Sequence, residues 1–77
     1  MKFVHSATVR DLSKTEAHHL HFGLKKILGG PQDLHVFAQD GFWHVCTAEL
    51  IGVELLPVLG LLQEMGYMEV LVISREL

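Results

Sequence analysis

A single cysteine, Cys46, leaves this 77-residue chain without an internal disulfide framework and without a CxxC metal or redox motif. That usage fits a reducing, cytoplasmic setting. Basic residues are also scarce. There are six Lys and Arg in all, only Lys25 and Lys26 of them adjacent, and the formal net charge is −3. Duplex binding needs clustered cations that displace counterions, so this balance argues against a nucleic-acid partner. Only two prolines occur, Pro31 and Pro57, and no Pro- or Ser-rich tract marks a linker. Long hydrophobic runs are missing too. The greasiest stretch, from Leu50 to Met65, is broken by Gly52, Glu54, Pro57, Gly60, Gln63 and Glu64. It falls short of the roughly 20 uninterrupted apolar residues of a membrane span. Met1 to Arg10 alternates in polarity, so no signal peptide is expected.

What is present is apolar. Hydrophobic residues make up 49 % of the chain and charged ones 19 %, which excludes a disordered chain. One domain, residues 1–77, is all that this length supports. A globule this small buries only about 60 % of its unfolded surface, so some apolar residues must remain outside.

Periodicity divides the chain into six elements. Lys2 to Val9 alternates as a strand, and Asp11 ends it. Ser13-Lys14-Thr15-Glu16 has the form of a capping box, with Leu12 and Ala17 placed as a hydrophobic staple. The helix after it carries Ala17, Leu20, Leu24, Ile27 and Leu28 on one stripe, and Gly29-Gly30-Pro31 stops it. Asp33 to Gln39 and Phe42 to Glu49 alternate on either side of Asp40-Gly41, a dipeptide suited to a two-residue type I′ turn. That turn sets Gln39 opposite Phe42, Phe37 opposite His44 and His35 opposite Cys46. One hairpin face then holds Leu34, Val36, Ala38, Trp43, Val45 and Thr47, and the other His35, Phe37, Gln39, Phe42, His44 and Cys46. A second helix is expected from Val53 or Glu54 to Met65, with Pro57 in its first turn, Gly66 as its cap and Leu55, Leu59, Leu62 and Met65 as its core stripe. Met68 to Ser74 reads as a final strand buried on both faces.

The order β-α-β-β-α-β predicts a ferredoxin-like α+β fold: a four-stranded antiparallel sheet, strand order 4-1-3-2, with both helices on one face. The other face is left open. It is expected to combine His35, Phe37, Phe42, His44 and Cys46 with aliphatic residues of the last strand. A monomer seldom exposes so much contiguous apolar surface, so a homodimer, by stacked open faces or joined edges, is expected. A second patch is Phe22 with His18, His19, Lys25 and Lys26, an aromatic ringed by titratable groups.

Six histidines raise the question of metal. His18 and His21 share a helix face, and His35, His44 and Cys46 share a sheet face, so either set is a candidate for zinc or copper. Neither has a completing ligand nearby in sequence, and solvated or hydrogen-bonded imidazoles account for them better. Cys46 as a nucleophile would need a histidine base and an orienting group, and no motif supplies them. Phe37, Phe42 and Trp43 faintly suggest an RNA-stacking strand, but the basic lead residue is absent and Trp43 is expected to face inward. The expected function is a non-enzymatic protein-interaction module, without cofactor or membrane partner, that regulates or inhibits a larger protein. The alternatives are a metal-binding domain and a dimer enclosing a ligand or active-site pocket between its sheets.

Overall fold

A computed structural model describes residues 2–29 and 34–77. The elements are β1 (Phe3–Leu12), α1 (Lys14–Leu28), β2 (Leu34–Gln39), β3 (Phe42–Thr47), α2 (Gly52–Glu64) and β4 (Leu71–Glu76). All four strands join one antiparallel sheet in the order β2-β3-β1-β4, the ferredoxin-like α+β arrangement expected from element order.

Local chemistry accounts for the best-defined elements. The Ser13 hydroxyl accepts from the Glu16 amide at 3.1 Å, and the Glu16 carboxylate accepts from the Ser13 amide at 3.0 Å. Those two bonds satisfy donors that a helix start otherwise leaves open. The backbone and side-chain bonds from Ser13 hold the Glu16 carboxyl below the usual glutamate range. Leu12 and Ala17, on either side of the cap, are both buried in the core. At the other end Gly29 takes the left-handed conformation, φ 76°, which costs a glycine little; Gly30 and Pro31 lie outside the described residues. Asp40 and Gly41 both have positive φ, 54° and 83°, as a type I′ turn requires. The β2–β3 register follows: Gln39 opposite Phe42, Phe37 opposite His44, His35 opposite Cys46.

The core lies between the helices and one sheet face. It joins Ala7, Val9 and Leu12 of β1, Leu34 of β2, Val45 of β3 and Leu50 with Ala17, Leu20 and Leu24 of α1 and Val58 and Leu62 of α2. Trp43 packs at its rim, its ring 5.5 Å from that of His18. Gly23 faces α2, where a Cβ would sit 3.4 Å from Leu61 Cδ2, in van der Waals contact.

Five expectations need correction. β1 does not end at Val9. It runs to Leu12 through a register shift at Asp11, whose positive φ of 61° absorbs the extra residue. In α1, Ile27 lies at the rim of the apolar stripe and is 40 % exposed. In α2 the core stripe is Val58 and Leu62, with Leu55, Leu59 and Leu61 partly buried and Met65 exposed. The helix begins at Gly52, one residue before the earliest expected start, which puts Pro57 in the second turn rather than the first. There its ring nitrogen cannot donate to the Val53 carbonyl. Val53 itself is 73 % exposed. Finally, β4 starts at Leu71 rather than Met68, and all six of its residues are exposed. α2 packs mainly on β1 and α1, which leaves β4 the least covered strand of the sheet.

Restoring an amide at position 57 therefore stabilises the helix. The interior proline costs about 3 kcal/mol relative to alanine, offset by about 0.4–1 kcal/mol of added unfolded-chain entropy. Pro57→Ala is expected to raise the urea midpoint, with a gain of about 2 kcal/mol by these two terms. A lower midpoint would show that α2 depends on the proline.

Candidate interaction surface

The face of the sheet away from the helices is built by alternation. Residues paired across the ladder share a face. The register places His35, Phe37 and Gln39 of β2 beside Cys46, His44 and Phe42 of β3. It places Thr8 between Cys46 and Leu71, Ser6 beside Ile73 and Val4 beside Arg75. All five sequence-predicted residues of this face, His35, Phe37, Phe42, His44 and Cys46, thus come together on it. The Phe37 and His44 rings stack, 5.2 Å between centroids and 22° between planes.

The apolar content of this face is not continuous. Phe37 and Phe42 stand exposed on the hairpin, and Leu71 and Ile73 stand exposed on β4. Between them runs β1, which contributes Ser6 and Thr8. The Thr8 hydroxyl donates to Cys46 Sγ at 3.1 Å, and that thiol donates to the Thr47 carbonyl at 3.3 Å. A polar strip therefore separates an aromatic patch from an aliphatic one. Composition alone did not expose this, although the period-two reading already put Ser6 and Thr8 on one face.

The strip ends at an ion pair. Arg75 Nε and Nη2 donate to the two carboxylate oxygens of Glu49 at 2.7 and 2.9 Å. This contact draws the Glu49 carboxyl below the usual glutamate range, first through the hydrogen bonds from Arg75, and raises the Arg75 guanidinium in turn. Val4, the register partner of Arg75, is buried although it lies outside the main core.

Beneath this face a chain irregularity is satisfied from within. Thr8 pairs with Cys46 but His5 pairs with Leu50, so one extra residue is inserted after β3. The buried Thr47 hydroxyl accepts the Ala7 amide at 2.9 Å across that insertion.

The second predicted patch is divided by the structure. Phe22 is 61 % exposed and carries Lys26 Nζ 4.6 Å above its ring. Lys25 is exposed near it at the end of α1, as is His19 one turn earlier. His18 instead turns to Trp43, with Lys14 Nζ 6.0 Å from the same indole. Further exposed apolar residues belong to neither predicted patch: Val53 and Leu56 on α2, and Met68 before β4.

The chemistry available here is limited. Among the described residues no three His, Cys, Asp or Glu side chains are placed to hold one metal ion. The Cys46 thiol bonds to Thr8 and Thr47, not to His35 or His44. An open groove of about 350 Å³ is lined by Arg10, Asp11, Glu69, Val70 and Leu71, with neither histidine nor phenylalanine in its wall. No helix among the described residues is long and apolar enough to cross a membrane.

Two outcomes follow. Thr47→Val keeps the shape but orphans the Ala7 amide, at a cost of about 1–3 kcal/mol. Chemical denaturation should show that loss, and the Ala7 amide should exchange faster; unchanged exchange would mean that the hydroxyl is dispensable. The Glu49 carboxyl is lowered in the folded chain, so the stability it adds is present above the unfolded glutamate value and is lost as pH falls through the folded one. Stability curves of wild type and Glu49→Gln should therefore converge in acid and separate above the ordinary glutamate range. Both groups are exposed, so high salt should narrow the separation; parallel curves at every pH would contradict the assignment.

Comparison with known proteins adds no functional neighbour: no protein-family model, no curated protein and no solved structure matches this chain.

Proposed function

We propose that this chain is a non-enzymatic protein-interaction module that acts as a homodimer and binds and regulates, or inhibits, a larger protein. The observation that carries the reading is the exposure of Phe37 and Phe42 on a sheet face with no helix over it. Aromatic side chains dominate contact energetics, because they bury much area with few rotatable bonds. Here they are flanked by His35, His44 and Cys46. The partner it suits is an apolar protein surface. The exposed apolar residues of β4 form a separate patch, which supports self-association in addition to partner binding.

Light scattering at tens of micromolar should give twice the 8.7 kDa chain mass. A clean monomer there would remove the dimer from the reading. Recognition is tested by exposed-site variants, each checked by thermal melting to remain folded. A partner bound by wild type at fixed stoichiometry should be lost with Phe37→Ser/Phe42→Ser and kept with Phe22→Ser. Equal binding by both variants would contradict recognition through the hairpin.

A further inference from the structure

We infer that two copies join through β4, edge to edge and antiparallel, in the one register that sets Val72 opposite the partner's Val72. This rests on the homodimer proposed above and names its interface.

β4 is an edge strand without the usual protection. Edge strands are normally blunted by proline, lysine, bulges or a covering element. β4 contains no proline or lysine and has its two charged residues, Arg75 and Glu76, at its end; it pairs with β1 through six residues with no register shift, and all six of its residues are exposed. β2, the other edge, is covered on one face by α1. A face-to-face stack of open faces would also bury the Ser6 and Thr8 strip. Edge pairing leaves that strip in water.

The backbone selects which groups are available. The Leu77 amide donates to the Lys2 carbonyl. Hydrogen-bonding direction alternates along a strand, so Arg75, Ile73 and Leu71 also bond toward β1. Val72, Ser74 and Glu76 then turn their amides and carbonyls outward. A two-fold axis normal to the sheet pairs residues whose numbers have a constant sum. Only an even sum keeps each side chain on the same face as its partner and uses the outward groups.

Among the even sums, the Val72-centred register complements itself. It sets Leu71 against the partner's Ile73, Val70 against the partner's Ser74 and Glu69 against the partner's Arg75, each pair occurring twice. Glu69, Leu71, Ile73 and Arg75 alternate onto the open face. They fall at the non-hydrogen-bonded positions, where Cα atoms approach to about 4.5 Å and side chains meet best. Glu69 lies ahead of β4 in the single chain, so pairing lengthens the strand backward by two residues. Arg75 spends Nε and Nη2 on Glu49, which leaves Nη1 for the partner's Glu69. Centring on Ile73 would instead put Leu71 against Arg75. Centring on Ser74 would put Val72 against Glu76.

The resulting eight-stranded sheet carries both aromatic patches on one side. The two β3 strands are five strand spacings apart, about 24 Å. Two sites on one rigid sheet can bind a partner that repeats or is itself dimeric with gain from avidity.

Single-cysteine variants in a Cys46→Ser background test the register. Val72→Cys should be joined by a short bis-maleimide into a covalent dimer. Ser74→Cys should react at the thiol without joining, because its counterpart lies four residues away along the strand, about 14 Å. Val72→Pro removes only an outward amide, and should weaken dimerisation by about tenfold or more while leaving the melting of the monomer intact. A wild-type dimer that cross-links equally at both positions, or that survives Val72→Pro unchanged, would overturn the β4 interface and leave the interaction reading in place. A wild-type monomer would overturn the homodimer as well.

Discussion

Two helices lie over a sheet of four strands, and the core they make reaches only three of them. α1 packs across β2, β3 and β1, and α2 packs on β1 and α1. The apolar contacts that hold the fold therefore end at β1, where Ala7 and Val9 are buried. β4 is held to the rest by its backbone ladder with β1, by the His5–Ser74 contact at 2.7 Å and by the Arg75–Glu49 pair. Its Leu71, Val72 and Ile73 keep 42 %, 38 % and 56 % of their surface exposed, so they gain less from folding a single copy than the core residues do, since hydrophobic stabilisation follows the area removed from water. The exposure of β4, the divided open face and the self-complementary edge all follow from that shortfall of cover.

Where a residue acts on its own neighbours, the sequence was enough to place it. Ser13 and Glu16 cap each other within one turn, and Asp40-Gly41 determines which residues of β2 and β3 stand opposite. Both are short-range devices, and the strand order then followed from handedness. The misreadings came from long range. Asp11 resembles a strand end, and only pairing with β3 shows it to be a bulge. Pro57 resembles a first-turn residue, but the helix starts at Gly52, with the Ile51 amide donating to Glu54 Oε1 and Leu50 buried in the core before it. The apolar alternation of Leu71 to Ile73 reads as a strand buried twice over, because a sequence carries no record of how far a helix extends across a sheet.

The candidate surface was legible to the same depth. Pairing across the hairpin brought His35, Phe37, Phe42, His44 and Cys46 to one face without any knowledge of the core. That β1 would cut this face in two was also written in Ser6 and Thr8, but their weight appears only once Thr8 is seen bonded to Cys46. The histidines, the most conspicuous feature of the composition, do not converge. His18 serves Trp43, His44 stacks on Phe37 and His5 meets Ser74. These three imidazoles are used locally, which is why counting histidines says little about chemistry.

The central claim is that one copy leaves its sheet unfinished at β4. Amide hydrogen exchange measures this directly, residue by residue, at two protein concentrations. Leu71, Ile73 and Arg75 face β1 and should be protected in dilute and concentrated samples alike. Val72 and Ser74 face outward and should exchange freely when dilute and become protected as concentration rises. Free exchange of Val72 and Ser74 at every concentration at which the protein is dimeric would contradict the account.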